Sequence, residues 1–263
     1  MNTEQPQLNT SKSFNEKTSV KLNVAINKGS SRISAKAILL PYSECPSSHE
    51  LITTTIGKII PRQKIIILSP KYANIHSANY FLSNRKQLSI PLNKAKLDAT
   101  LTKAILSNKK YPLSGSQEYI SKKMLSTLQH FFKKSQLTLI KCQNCSLGTY
   151  REISTQMFEA LKHTHNDTLL IALADLATSN SEATVRKIDR LLIDAIINLN
   201  DDYIIEKIKT EKLQMLGEAS LLILLNYLKM TGIKKTRVNG YKVRTIADKK
   251  HPFMSGHAGI IFQ

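Results

Sequence analysis

Two short apolar runs, each stopped by a proline, set the first limit on what this chain can fold into. Ala37-Ile38-Leu39-Leu40 ends at Pro41, and Ile65-Ile66-Ile67-Leu68-Ser69 ends at Pro70. Both are shorter than an ordinary helix, and the second is rich in β-branched residues, which favour extended backbone. Consecutive apolar residues without polar alternation fit a strand covered on both faces. Such strands require helices on either side, and the sequence supplies the pattern for them. Residues 49–60, 97–106, 117–133, 152–164 and 182–199 carry apolar side chains three and four apart, the spacing of an amphipathic helix.

Asn200 followed by Asp201 and Asp202 predicts a capped helix over 200–209, with acids at the positive end of its dipole. Residues 216–230 are apolar nearly all round and stop at Thr231-Gly232, which predicts a central helix. Further strands are expected over 137–141, 168–174, 234–246 and 259–262, with Asn239-Gly240 as a turn. Strands alternating with helices predict an α/β sandwich, a mixed and mostly parallel sheet covered by helices. The last two strands have no helix between them and are expected to pair antiparallel. Residues 1–30, rich in Asn, Ser, Thr, Gln and Lys, predict a disordered polar tail with at most a short edge strand over 21–26. No linker divides residues 31–263, so one domain is expected there.

Charge is the unusual part of the composition. Lys and Arg total 38 against 19 Asp and Glu, a net charge of +19, and the sequence pI is near 9.8. Lys229, Lys234, Lys235, Arg237, Lys242, Arg244, Lys249 and Lys250 cluster against the single acid Asp248. Alternation along 234–244 sets Lys234, Lys235, Arg237, Lys242 and Arg244 as a candidate polyanion patch, and Lys122, Lys123, Lys133 and Lys134 form a second cluster. Only Tyr241 interleaves as a stacking aromatic, so weak, salt-sensitive nucleic-acid binding is expected rather than a specific motif. The bland alternative is a solvated surface in a Lys-, Asn- and Ile-rich chain.

Three cysteines, Cys45, Cys142 and Cys145, do not make a disulfide framework and predict a reducing cytoplasm. Residues 1–21 lack the apolar core of a signal peptide, and no apolar run reaches membrane-spanning length. Cys142 and Cys145 have the spacing of half a zinc site, with His163 and His165 as tempting partners downstream; two ordinary thiols are the competing reading. Cys45 and His49 offer a thiol and an imidazole, but the sequence shows no third group to orient them. His76 and His130 have no evident partner; His251 and His257, late in the chain, are within reach of a pocket at the strand ends, though nothing in the sequence requires it; and no glycine-rich phosphate loop is present.

The order of segments resembles the Memo family, also known in bacteria and archaea as AmmeMemoRadiSam system protein B and related in fold to class III extradiol dioxygenases. Ala35 to Pro41 resembles the family's first strand, which runs into Pro-His-Ala-Gly-Tyr. Lys64 to Pro70 with Lys71-Tyr72-Ala73 is similar to its second, which runs into Gly-Pro-Ser-His-His. Glu118-Tyr119-Ile120 stands where the family has Glu-His-Ser, and Ile171-Ala172-Leu173-Ala174-Asp175 resembles Val-Val-Ser-Ser-Asp. Leu216-Gly217-Glu218 is similar to Cys-Gly-Arg, and Ser255-Gly256-His257-Ala258-Gly259 to the closing Ser-Tyr-Ala-Ala-Gly. The likeness covers about residues 35–263 in order.

What the resemblance implies is a degenerate site. The family's metal is held by a His from the first strand end, a His from the second, and a Cys before the core helix. Those places hold Tyr42, Tyr72 and Leu216, while two further family histidines correspond to Tyr119 and Thr178; only Asp175 is retained, as a weak catalytic candidate. Imidazole and thiolate hold iron, copper or zinc, but leucine offers no lone pair and a neutral phenol is a poor replacement. No metal and no cofactor are therefore expected. Tyr42, Lys71, Tyr72, Tyr119, Asp175, Thr178 and Leu216 instead outline a pocket at the carboxyl ends of the strands. It either binds a small organic anion, with Lys71 pairing with the charge, or is filled by its own tyrosines. The leading functional expectation is a metal-free, non-catalytic homologue that binds or scaffolds a partner. The alternatives are an enzyme, hydrolase or oxygenase, with a rebuilt site in the same pocket, and a basic polyanion-binding protein.

Overall fold

Both proline-stopped runs are strands buried along their length. The computed structural model describes residues 32–42, 45–70, 80–83, 87–90, 93–105, 113–114, 120–142, 147–233, 235–246 and 253–263. The expected tail and its edge strand lie outside the described residues, as do Lys71, Tyr72, Tyr119, Lys234 and Cys145. In chain order the elements are β1 (Ala37–Leu40), α1 (Pro46–Ile56), β2 (Lys64–Pro70), β3 (Tyr80–Ser83), β4 (Gln87–Ile90) and β5 (Asn93–Lys96). Next come α2 (Ala99–Ile105), β6 (Leu113–Ser114), α3 (Lys122–Phe131), β7 (Gln136–Cys142), α4 (Leu147–Leu161) and β8 (Thr168–Leu173). The chain closes with β9 (Thr178–Ser179), α5 (Glu182–Ile197), α6 (Asp201–Thr210), α7 (Glu218–Thr231), β10 (Thr236–Ile246) and β11 (Phe253–Phe262).

Among the described residues one sheet holds nine strands in the order β10-β11-β1-β8-β2-β7-β3-β6, with β9 against β11, and β4 and β5 form a separate hairpin. Four central strands, β1, β8, β2 and β7, run parallel. The β10–β11 and β1–β11 pairs are antiparallel, so the sheet is mixed. Alternate side chains feed two cores. Ala37, Leu39, Ile66, Leu68, Leu170 and Ala172 point to the layer of α4, α5, α6 and α7. Ile38, Leu40, Ile65, Ile67, Leu169 and Ile171 point to the layer of α1 and α3. This two-sided burial is why these strands carry no polar alternation.

The helix ends follow local chemistry. Pro46 opens α1 three residues earlier than the apolar spacing suggests, because proline is at home in a first turn. Asn200 caps α6 as expected, its side-chain oxygen accepting from the Tyr203 amide at 3.1 Å. α7 is buried from Ala219 through Leu228 and is indeed a central helix, closed by Gly232. Its start is pressed against the end of β8. Gly217 has φ +92°, and a Cβ there would lie 2.5 Å from the Leu173 carbonyl oxygen, so only glycine fits.

Asn239-Gly240 does not make the expected turn. β10 runs straight through it, with a bulge between Val238 and Gly240. The Asn239 amide donates to Thr55 Oγ1 at 3.0 Å and its oxygen accepts from Lys58. A Cβ at Gly240 would meet Leu51 of α1 at 2.8 Å. These two residues serve close packing of an edge strand on α1, not chain reversal. β11 is also longer than the expected 259–262; the short strands β4, β5, β6 and β9 carry no apolar run that announces them, and β3 has only Tyr80-Phe81-Leu82.

Candidate functional site

The carboxyl ends of β1 and β8 lie side by side, because the two strands pair in parallel with Leu40 beside Leu173. The chain leaves β1 through Pro41 and Tyr42 and leaves β8 through Ala174 and Asp175. Asp175 is 1% exposed. Its backbone N–H donates to the Leu216 carbonyl at 2.8 Å, and its Oδ1 accepts from the Tyr42 backbone N–H at 2.9 Å. Tyr42, Asp175 and Leu216 are thus brought together.

β11 brings the next group. It pairs with β1 on the side away from β8, and successive residues alternate faces, so His257 and Ile261 point toward α1. His257 is fully buried, and its Nε2 stands 3.6 Å from Asp175 Oδ1. That is a charge–dipole contact rather than a hydrogen bond. Its Nδ1 lies 2.7 Å from the hydroxyl of Ser48, which is itself buried in the first turn of α1. Ser48 Oγ in turn contacts Sγ of Cys45, the half-buried residue at the N-cap of α1. Burial holds the His257 pKa below the usual imidazole range; Asp175 pulls the other way and Arg244 reinforces the lowering. The ring is therefore neutral at pH 7. With the proton on Nε2, Nδ1 accepts from Ser48, and the N–H points at Asp175 from beyond hydrogen-bond distance.

The opposite face of β11 is also polar. A Cβ at Gly256 would stand 1.6 Å from Asp189 Oδ2, so glycine makes room for this carboxylate. Asp189, from α5, accepts from the Ala177 N–H at 2.8 Å and from the Tyr241 hydroxyl at 2.7 Å. Burial pushes its pKa up to about 6 against the lowering influence of those hydrogen bonds and of Arg186.

Other sequence candidates fall elsewhere or play a different part. Thr178 sits in β9 opposite Ser255 and donates its N–H to Gln214, three residues past Asp175. The Tyr42 ring packs against the core under α1 and α3. Lys71, Tyr72 and Tyr119 are outside the described residues. Cys142 ends β7, whereas His163 and His165 lie in the loop that leads into β8. β2 pairs in parallel with both strands, so these groups are at opposite ends of the sheet, about 20 Å apart for a seven-residue strand. Cys142 and the two histidines cannot share a zinc ion. His49, the expected partner of Cys45, faces Lys123 instead.

The basic residues of β10 do share a face. Arg237, Lys242 and Arg244 lie on the α1 side of the edge strand, where Lys242 pairs with Glu50 and Arg244 approaches His257. Lys235 is exposed just before the strand.

Among the described residues, those at the Asp175 end of the sheet do not fit the metal that the resemblance implies. Asp175 faces a backbone N–H, a donor that disfavours a cation at that oxygen. At the place of the family's thiolate, the Leu216 side chain has no lone pair. Among the described residues no group of three or more His, Cys, Asp or Glu side chains is placed to hold an ion. Sequence reasoning did not join Ser48 to His257, and it did not single out Asp189 on the other face of β11. The available signal was an imidazole in Ser-Gly-His-Ala-Gly, inside a strand otherwise made of small and apolar residues.

Comparison with known proteins agrees with this architecture. Among solved structures, an uncharacterized protein from Escherichia coli K12 superposes with a TM-score of 0.50 at 10% identity, covering 84% of this chain and 98% of that one. At that identity the likeness concerns the fold. No curated protein sequence matches the chain. The family model described as Memo-like protein matches residues 10–255. With most of its length inside that match, the chain belongs to the Memo-like family.

Proposed function

We propose that this Memo-like protein works by binding a partner, without a catalytic metal. The observation that supports the reading is the state of Asp175. The one acidic residue retained from the resemblance is buried, accepts the Tyr42 N–H at 2.9 Å and faces the His257 ring. A carboxylate used in this way holds two strand ends together; opening it to a cation would leave a buried N–H without its acceptor. Tyr42, packed into the core, fits the role of filling the space of the lost ligands. The pocket outlined by Tyr42, Lys71, Tyr72, Tyr119, Asp175, Thr178 and Leu216 remains the proposed place for a small organic anion or a partner's side chain.

The test is metal content. Iron, copper and zinc are quantified by mass spectrometry on untagged protein, as purified and after ferrous iron is added without air. No stoichiometric metal is the expected result. One tightly held ion per chain overturns the reading and favours an enzyme with a rebuilt site.

A second reading has its own support. Arg237, Lys242 and Arg244 share one side of an edge strand in a chain of net charge +19. Polyanion binding there predicts an affinity for mixed-sequence RNA or DNA that falls steeply with salt. Replacing the three residues by Ala is expected to flatten that dependence, and an unchanged slope removes this face from consideration.

A further inference from the structure

The line Cys45–Ser48–His257–Asp175 has a direction. Its outer end is a half-buried thiol, and its inner three members are each at most 1% exposed. With His257 protonated on Nε2, the two outer links each have one donor and one acceptor, and the innermost is an electrostatic contact. The thiol donates to Ser48 Oγ, the Ser48 hydroxyl donates to His257 Nδ1 at 2.7 Å, and Nε2–H faces Asp175 Oδ1 at 3.6 Å. A structural Ser–His pair has no need of a thiol at its open end. Cys45 is also the N-cap residue of an eleven-residue helix, where the helix dipole favours negative charge on a thiolate or on an adduct oxygen. The sequence shows Cys45 and His49 without an orienting group; the fold supplies Ser48 and His257, the latter from a strand more than two hundred residues away.

We propose that Cys45 is a nucleophilic thiol that takes acyl groups from activated esters or thioesters and carries them as a thioester, with Ser48 and His257 as positioning residues that remove its proton. A sulfur–carbon bond forms at the acyl carbonyl while the bond to the leaving oxygen or sulfur breaks. The thiol proton passes to Ser48 as the Ser48 proton passes to His257 Nδ1. The imidazolium so formed faces Asp175, whose charge favours it, and it returns the proton to the leaving group or to water. No oxidant, metal or further reactant is required. This inference stands apart from the metal question: Cys45 acylation succeeds or fails whether or not an ion is found.

The experiment uses the untagged full chain and p-nitrophenyl acetate at neutral pH. Nitrophenolate release is followed by stopped flow, and the acetylated peptide is identified by mass spectrometry. The expected result is one acetyl group on Cys45, gained about 100-fold faster than by N-acetylcysteine, the lower range for a positioned general base. Cys45→Ser abolishes the fast phase. Ser48→Ala slows it to the rate of a free thiol and makes it rise with pH as a free thiol does, a change of profile that loss of packing alone does not produce. Acetylation of Cys142, Cys145 or lysines in place of Cys45 overturns the proposal, as does an unchanged rate in Ser48→Ala. Should Ser48→Ala fail to fold, the wild-type comparison decides alone: a Cys45 no faster than N-acetylcysteine refutes the relay.

Discussion

Asp189 gives the fold a pH dependence opposite to that of most carboxylates. Its side chain is fully buried beneath Gly256, and burial raises its pKa from 3.8 to about 6. In the unfolded chain the group loses its proton near pH 3.8. Between the two values the folded state holds a proton that the unfolded state has released. Stability from this residue is therefore complete below pH 3.8 and is lost as pH rises through about 6. A gap of roughly two pH units corresponds to about 3 kcal/mol, as an order of magnitude.

Asp189→Asn isolates that contribution. The amide keeps an oxygen for the Ala177 N–H and offers an N–H to the Tyr241 oxygen, and it does not titrate. Urea unfolding of both proteins from about pH 4 to about pH 7 gives the difference in stability, in which other carboxylates cancel. The variant is expected to gain on the wild type by about 2 kcal/mol across that range, most of the full effect. Parallel curves show that Asp189 does not titrate there. A wild type that gains on the variant as pH rises means that the hydrogen bonds from Tyr241 and Ala177 outweigh burial and hold the carboxylate ionised, which refutes the reasoning.

Two further substitutions probe buried carboxylates, one at Asp189 and one elsewhere. Gly256→Ala drives a methyl group to 1.6 Å from Asp189 Oδ2; a loss of about 3 kcal/mol or more is expected in thermal or urea melts, largely relieved when Asp189 is also shortened to Ala. Asp201 is buried at the start of α6, where it pairs with Lys229 and accepts from Asn226 at 2.9 Å. Asp201→Ala is expected to cost about 2 kcal/mol in the same assay, less than a fully buried pair because Lys229 can turn to water.

How much of this was legible in the sequence depends on whether the signal was local. β2 is read to the residue because its apolar run and terminal proline are contiguous. The Asn200 cap and the Gly232 stop are equally local. Asp175, Tyr42 and Leu216 were legible as one group only through the order of segments, and the structure joins them by one backbone hydrogen bond and one from the Tyr42 N–H to the Asp175 carboxylate. Asn239-Gly240 misled because the pair that favours a tight turn also suits a bulge against a helix, and the choice is made by Leu51 and Thr55, far away in sequence. Ser48 and His257 are separated by 209 positions. No periodicity links them; the register of β11 on β1 does.

That register is where the chemistry of this end of the sheet is concentrated. Gly256 and His257 are adjacent on β11 and face opposite sides. One opens space for Asp189 in the α5 layer, and the other meets Ser48 and Asp175 on the α1 side. A slip of one residue in one direction would bury the imidazole against Asp189 and leave Asp175 facing Ala258; in the other, Ser255 would press on Asp189 and Asp175 would face a glycine. Either way both hydrogen-bond sets are broken. Two buried carboxylates, one on each face, thus admit a single alignment of the closing strand. Buried polar groups specify an arrangement even when they add little net stability. The family site that the resemblance implies would draw its strand ends together around an ion. Here Asp175 ties the β1 and β8 exits through the Tyr42 and Leu216 backbones, and His257 ties β11 to α1. Hydrogen bonds join these strand ends, and one of the groups in contact with them is a half-buried thiol.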